Sequence, residues 1–256
     1  MAARHVVLIA VTSIVLALGW LTAPMTALQD QMEPVPPTPL EMLVETVGGS
    51  LDQDNEGRVD RVDLAYTQVT DEDLTHLSEA SGLASLSLNN TQVTDAGLVH
   101  LAEFPALRIL GLSFSQVTDA GLVNLMGLSA LETLGLVGTQ VTDEGLAYLA
   151  EFPELERLGL AYTRVTDLGL TRLVGASALE SLDLDSTKVT NAGLAYLANF
   201  PRLERLGLAH TEITDAGLGY LMGLRALESL NLSGTMVTAG GVGALRRALP
   251  DCIVSM

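Results

Sequence analysis

The chain has 256 residues, of which 48% are hydrophobic, 17% charged and 4% aromatic, and its net charge is −18. This composition is too apolar for a disordered chain. The acidic charge argues against nucleic acid as a partner, because a phosphate backbone needs basic side chains. Cys252 is the single cysteine, which excludes an intrachain disulfide and a metal cluster held by several cysteines.

The N-terminal residues 1–27 have the pattern of an export signal. Arg4 and His5 precede an apolar run over residues 6–23, and a basic start before an apolar stretch is typical of export. The run exceeds the ~7–15 residues of a cleavable signal core and is nearly long enough for a membrane span. We therefore favour an uncleaved signal anchor over a removed signal peptide. The first would place the protein on the outer side of the cytoplasmic membrane, and the second would make it periplasmic or secreted.

The rest of the chain divides by composition. Residues 28–39 contain four prolines and predict an extended linker. Residues 40–58 predict an N-terminal cap, made of a helix that ends at Gly48-Gly49 and a hairpin. Residues 59–250 carry a repeat, and residues 251–256 predict a C-terminal cap that buries Cys252.

A Thr-x-Val-Thr-Asp element recurs every 24 residues without an insertion. Its copies begin at Thr67, Thr91, Ser115, Thr139, Thr163, Thr187, Thr211 and Thr235. A fixed period of this size predicts a solenoid, in which each unit buries its hydrophobic face against its neighbours.

Each unit combines two hydrophobic periods. Leu86 and Leu88 alternate, which predicts a short strand with both leucines on its inner face. Leu98 and Leu101 are three residues apart, which predicts one face of a helical turn. Between them, a Thr-Asp pair suits a helix start, where the hydroxyl caps and the acid meets the positive end of the dipole. Stacked units predict a parallel sheet over a leucine core.

These motifs resemble those of leucine-rich repeat proteins, over residues 59–250. Within the family they resemble the subtype with a Leu-x-x-Leu-x-Leu-x-x-Cys-x-x-Ile-Thr-Asp consensus, although Thr91 and Thr139 here replace its usual Asn or Cys at the buried corner. The resemblance implies an α/β solenoid of eight 24-residue repeats, a horseshoe with a parallel sheet on the concave side and short helices on the convex side. It also implies partner binding on the concave sheet, and the sequence is similar to exported or membrane-tethered bacterial repeat proteins.

Large side chains recur every 48 residues at two positions expected to face outward from that sheet. They are Arg61, Ile109, Arg157 and Arg205 at one position, and Tyr66, Phe114, Tyr162 and His210 at the other, and the candidate contacts are the three arginines and the four residues of the second position. Tyrosine and arginine dominate interface hot spots, and arginines on an acidic body would form a positive strip for an acidic partner. Neighbouring glutamates weaken this interpretation. Two alternatives stay open: duplication of a repeat pair, and packing of a ring over Gly138 or Gly234.

Nothing in the sequence assembles an acid, a base and a nucleophile, and the repeated glycines are spaced for geometry rather than for phosphate binding. The string Asp52-x-Asp54-x-Glu56-Gly57 resembles the start of a calcium loop, but a polar hairpin turn is the better interpretation. We therefore expect a non-enzymatic module without metal or cofactor that binds a protein or peptide. The alternative is a structural or self-associating envelope scaffold without a specific ligand.

Overall fold

The computed structural model describes residues 36–256. The expected export signal and residues 28–35 of the expected proline-rich linker therefore lie outside the described residues. Among the helices of residues 36–256, none combines the length and the apolar character needed to cross a bilayer.

The strands form one ten-stranded sheet in sequence order, in which β1 is antiparallel to β2 and all the others are parallel. The strands are β1 (Ser50–Gln53), β2 (Val59–Asp63), β3 (Ser85–Ser87), β4 (Ile109–Gly111), β5 (Thr133–Gly135), β6 (Arg157–Gly159), β7 (Ser181–Asp183), β8 (Arg205–Gly207), β9 (Ser229–Asn231) and β10 (Ile253–Ser255). Arg61 pairs with Ser85, and Ser85 with Ile109, so the 24-residue step of the sequence is also the register of the sheet. Equivalent residues of successive repeats consequently form straight rows across it.

Short helices return the chain to the next strand. They are α1 (Pro39–Val47), α2 (Asp119–Leu122), α3 (Leu146–Leu149), α4 (Asp167–Arg172), α5 (Leu218–Leu221) and α6 (Ala239–Ala248), with 3₁₀ segments at Asp73–Glu79, Gly97–Glu103, Val123–Leu125, Leu173–Gly175 and Gly193–Asn199. The order of strand, corner and short helix is as the two hydrophobic periods predict.

One leucine core runs through the whole array. Leu86 and Leu88 of the strand and Leu98 and Leu101 of the helical turn are fully buried. At the corner, the Thr91 hydroxyl is buried and donates to the carbonyl of Leu88 at 2.8 Å. Since the other copies of the element repeat this bond, the corner holds a polar residue without leaving it unsatisfied.

The N-terminal end of the core is covered by α1 and the β1–β2 hairpin. Thr38 and Glu41 form a capping box at the start of α1, and Leu40 and Val44 are buried. In the hairpin turn, the Asp54 carboxylate accepts the N–H groups of Glu56 and Arg58, at 2.8 and 3.0 Å. Asp54 thus stabilises the turn, and these backbone hydrogen bonds lower the pKa of its carboxyl group.

A second set of side chains joins each repeat to the next. We call it the Asp–Thr ladder; its acceptors are Asp71, Asp95, Asp119, Asp143, Asp167, Asn191 and Asp215. In a typical rung, Asp143 Oδ1 accepts the Thr166 N–H and Oδ2 accepts the Thr166 hydroxyl, both at 2.7 Å. The carboxylate needs a glycine in the next repeat, because a Cβ on Gly169 would lie 2.6 Å from Asp143 Oδ1.

The sequence predicted only that these aspartates start helices. In the structure they also bond the following repeat. The two ends of the ladder are also visible in the sequence. In the first repeat, Asp73 replaces the glycine and itself accepts the N–H and hydroxyl of Thr70, at 2.8 and 2.9 Å. In the last repeat, Ala239 replaces the aspartate.

Candidate partner-binding surface

The arginines proposed for binding lie on the outward face of the sheet, in one row. Arg61, Arg157 and Arg205 occupy equivalent positions in β2, β6 and β8, with Ser85, Ser181 and Ser229 at the same position in the strands between or beyond them. The predicted shared row is therefore present in the structure.

The aromatic candidates occupy a different kind of position from the one expected. They belong to what we call the αL column, whose residues are Tyr66, Asn90, Phe114, Gly138, Tyr162, Ser186, His210 and Gly234. All of them have φ between 54° and 70°, in the left-handed region. They are turn residues that follow the strand, so the expectation that they are outward strand positions was wrong. Each strand ends three residues before its αL residue, so the strand alternation does not extend into the turn.

The left-handed backbone is imposed by stacking of the repeats. The Tyr66 N–H donates to the Asn89 carbonyl at 2.8 Å, and the Tyr162 N–H donates to the Asp185 carbonyl at 2.9 Å. Glycine or asparagine adopts such a backbone readily, whereas another residue costs roughly 1 kcal/mol. An aromatic residue here therefore needs a compensating contact or a function.

For Phe114 and His210 the compensating contact is visible. A Cβ on Gly138 would lie 2.5 Å from Cδ1 of Phe114, and one on Gly234 would lie 2.6 Å from Cε1 of His210. Each ring therefore covers the bare backbone of the following repeat, as the packing alternative anticipated.

Tyr66 and Tyr162 cannot pack in the same way. The next residues in their column are Asn90 and Ser186, whose Cβ atoms occupy the space that a ring would need. The two tyrosines are 77% and 62% exposed. Their strained backbone is accordingly not offset by the ring-on-glycine contact seen for Phe114 and His210.

The prediction of a positive strip is wrong, because each arginine of the row has a carboxylate beside it. Arg157 Nη1 lies 3.1 Å from Glu156, and Arg205 Nη1 lies 3.3 Å from Glu204. Arg61 Nε lies 3.9 Å from Asp52. These pairs cancel the charge on which the expectation of an acidic partner depended.

A shallow hollow of about 240 Å³ opens on the same face near its N-terminal end. Its lining residues are Asp60, Arg61, Ala84, Ser85, Arg108, Ile109 and Glu132. Ser85 on β3 and Ala84 just before it are small, so Arg61 on β2 and Ile109 on β4 form its two walls. Ile109 is exposed, and the hollow can receive one side chain of a partner.

Sequence reasoning missed Asp183 and Asp185. A Cβ on Gly207 would lie 2.6 Å from Asp183 Oδ1 and 2.7 Å from Asp185 Oδ1, so both carboxylates reach the same patch of bare backbone. Burial raises the pKa of Asp183, and the charge of Asp185 raises it further. The pair does not belong to the large residues that recur every 48 positions. The signal that could have indicated it is Asp183, which interrupts a row of small residues.

Comparisons with known proteins agree with this architecture. A leucine-rich repeat family model matches residues 177–237. The internalin C2 structure from Listeria monocytogenes is similar, with a TM-score of 0.63 and 24% identity, covering 86% of this chain and 92% of that one. An internalin inlF structure from the same organism gives a TM-score of 0.62 and 22% identity over 76% of this chain. This chain spans 52% of the inlF chain, about half its length.

A plant protein shares the fold more distantly. The ectodomain of the membrane receptor kinase GASSHO1/SCHENGEN3 from Arabidopsis thaliana, solved in complex with CASPARIAN STRIP INTEGRITY FACTOR 2, gives a TM-score of 0.53 and 18% identity, over 80% of this chain and 25% of that one. No curated protein sequence matches this chain. Together with the family model, these similarities agree with the described architecture, which is an α/β solenoid with the leucine-rich repeat fold.

Proposed function

We propose that the protein is an exported, non-enzymatic recognition module that binds a protein or peptide on its concave sheet. The observation that carries the proposal is the presence of two exposed tyrosines, Tyr66 and Tyr162, in a left-handed turn where other repeats have Gly138 and Gly234. Strain of this kind collects at binding sites, and tyrosine is a frequent interface anchor.

The remaining candidates complete the surface. Arg61, Phe114, Arg157, Arg205 and His210 flank the tyrosines as hydrogen-bonding and aromatic contacts, and the hollow beside Arg61 offers a recess for one side chain. Large curved surfaces of this type are what repeat solenoids use to bind partners. The plant receptor ectodomain was solved in complex with another factor, which supports the same use of the fold here.

Export and attachment complete the proposal. The basic and apolar pattern of residues 1–27 supports a signal anchor, and residues 28–39 would hold the solenoid away from the membrane. The regular Thr-Asp repeat supports membership of the subtype found in exported bacterial proteins.

The test is capture of partners from the envelope extract of the producing cell by the immobilised full chain. Tyr66→Gly with Tyr162→Gly is the test variant, and Asn90→Gly with Ser186→Gly is the matched control, because all four positions share one backbone conformation. We expect a partner that binds the wild type and the control but not the tyrosine variant. Equal capture by all three proteins would contradict binding at these tyrosines.

A structural scaffold is the second candidate, favoured by apolar side chains exposed on the helical side. Val99, Val123, Leu168 and Tyr220 lie there, each between 46% and 51% exposed. Self-association through this side predicts a mass that rises with protein concentration in light scattering and is insensitive to the tyrosine substitutions. A constant monomeric mass would exclude it.

A further inference from the structure

The hollow between Arg61 and Ile109 lies where the sequence departs from its 48-residue pattern at two positions. At steps of 48 residues, the position of Ala84 carries a glutamate in the three later copies, which are Glu132, Glu180 and Glu228. The position of Ile109 carries an arginine in the other three copies, which are Arg61, Arg157 and Arg205. Duplication of a repeat pair therefore predicts a glutamate at 84 and an arginine at 109.

Both departures open the hollow. Ala84 is smaller than the expected glutamate and lines the space of about 240 Å³. Ile109 gives it an apolar wall where an arginine would place a charge, and it is 41% exposed, although isoleucine is a residue type that burial favours. Copying of repeats does not explain two replacements that meet at one place, so the duplication alternative does not account for the hollow.

The charges around the hollow cancel. Its charged lining residues are two acids and two bases, Asp60, Glu132, Arg61 and Arg108. Arg108 is already engaged, because its Nη2 lies 2.5 Å from Glu132 Oε1 and its Nε donates to the same oxygen at 2.7 Å. A charged side chain would lose hydration here without meeting a surplus of opposite charge. The hollow therefore favours an uncharged occupant.

Arg61 is held less firmly than Arg108. Its Nε lies 3.9 Å from Asp52 Oδ2, which is beyond hydrogen-bonding distance, and its side chain is 59% exposed. A guanidinium group in this situation can turn its flat face toward an aromatic ring, which attracts it through the ring quadrupole. This wall of the hollow thus favours an aromatic occupant over an aliphatic one.

The spacing of the walls fits a ring. Arg61 pairs with Ser85, and Ser85 pairs with Ile109, so the walls are two strand spacings apart, or about 9.5 Å between backbones. A flat ring in van der Waals contact with both walls needs about 7–8 Å, which is twice the usual contact distance. The small side chain of Ser85 leaves this slot open, and the flexible side chain of Arg61 can close the remaining gap.

We propose that this hollow binds an aromatic side chain of the partner protein, with the ring held between the Arg61 guanidinium group and the Ile109 side chain. The inference rests on the proposed function, because it names the chemistry of one contact on the same concave surface. An uncharged aromatic contact in this part of the sheet replaces the acidic partner that the arginine row suggested.

The experiment measures binding of N-acetyl-phenylalaninamide to the isotope-labelled full chain through the amide NMR signals. The comparison probe is N-acetyl-cyclohexylalaninamide, which has the same carbon skeleton but a puckered ring without a π face. Ala84→Glu fills the hollow, and Ala96→Glu makes the same charge change at an exposed position on the helical side. The fold accepts glutamate at equivalents of both positions, namely Glu132 for Ala84 and Glu144 for Ala96, so both variants should fold.

We expect the phenylalanine probe to shift the amide signals of Ser85 and Ile109 saturably and to bind about threefold more tightly than the cyclohexyl probe. Ala84→Glu should weaken its binding about tenfold, and Ala96→Glu should stay within about twofold. Equal or tighter binding of the cyclohexyl probe would overturn recognition of a ring by Arg61. Equal weakening in the two variants, or no saturable shift in the wild type, would overturn the hollow as the site.

Ile109→Arg gives a second test that does not depend on Ala84→Glu. It restores the arginine of the equivalent repeats and removes the apolar wall, so the phenylalanine probe should bind more weakly. Unchanged binding by this variant would also overturn the proposal.

A further measurement separates this inference from the proposed function. The envelope partner captured by the wild type is presented to Ala84→Glu and to the variant with Tyr66→Gly and Tyr162→Gly. Loss with both variants supports both proposals. Loss with the tyrosine variant alone would leave concave recognition standing and overturn the hollow as a partner contact. Loss with Ala84→Glu alone would support the hollow and overturn binding at the tyrosines, and retention by both would overturn both.

Discussion

The Asp–Thr ladder and the αL column run the length of the same solenoid, but they differ in how far their residues vary from repeat to repeat. The ladder keeps one residue type, with Asn191 as the exception among its acceptors, and each acceptor bonds the next repeat. The αL column varies from glycine to tyrosine at one backbone conformation. Uniformity thus accompanies a structural role, and we propose that a costly residue without the structural contact of its counterparts has a function.

The largest expected effect breaks the ladder. A Cβ on Gly145 would overlap Asp119 Oδ1 and lie 2.9 Å from Cδ1 of Leu122, so Gly145→Ala should lower the free energy of unfolding by about 2–3 kcal/mol. Gly219→Ala is the control, because nothing lies within 4 Å of its added Cβ. Urea unfolding compares the two. Equal stability of the variants would refute the ladder as the contact that fixes repeat stacking.

A smaller effect on the free energy of unfolding should distinguish two kinds of position in the αL column, those with a ring packed on a glycine and those with an exposed tyrosine. Gly138→Ala adds a Cβ at 2.5 Å from the Phe114 ring and at positive φ, so we expect a loss of about 1–2 kcal/mol. In a Phe114→Gly background the loss should shrink to the backbone cost of about 1 kcal/mol. The coupling is measured by a double-mutant cycle in urea.

The tyrosine half of the column supplies the control for that cycle. Ser186→Ala, next to Tyr162, should show no coupling to Tyr162→Gly, since Ser186 already carries a Cβ. A coupling as large as that between Phe114 and Gly138 would mean that the two kinds of position do not differ.

The smallest effect concerns pH. The hydroxyl of Thr238 and then its N–H donate to Asp215 and lower its pKa. A carboxyl with a lowered folded pKa stabilises the fold above its unfolded pKa, and this contribution is lost as pH falls through the folded pKa. The stability difference between wild type and Asp215→Asn should therefore shrink below about pH 4. Urea unfolding across this range checks it, and a constant difference would contradict it.

Much of the fold follows from the sequence because a constant 24-residue step sets strand register directly. The spacing of Leu86 and Leu88 alone predicts a strand, and the spacing of Leu98 and Leu101 alone predicts a helical turn. The Asp–Thr ladder could not be predicted from the sequence, because the bond from Asp143 to Thr166 joins two repeats. Helix capping already offered an explanation for the aspartate.

The candidate surface was less predictable from its residues. The left-handed turn at Tyr66 was not predicted, because the strand alternation was extended over it. Asn90, Gly138 and Gly234 in the same column are nevertheless typical of positive φ. Ion pairing of Arg157 depends on which way Glu156 points, and a linear sequence does not give that direction.

We propose that Tyr66 serves binding and not folding. The most direct measurement is the free energy of unfolding of Tyr66→Gly by urea titration. We predict stability that is unchanged or higher by up to about 1 kcal/mol, because glycine relieves the left-handed strain and Tyr66 has no ring-on-glycine contact to lose. A loss of more than about 1 kcal/mol would show that the tyrosine stabilises the solenoid, and would contradict the account.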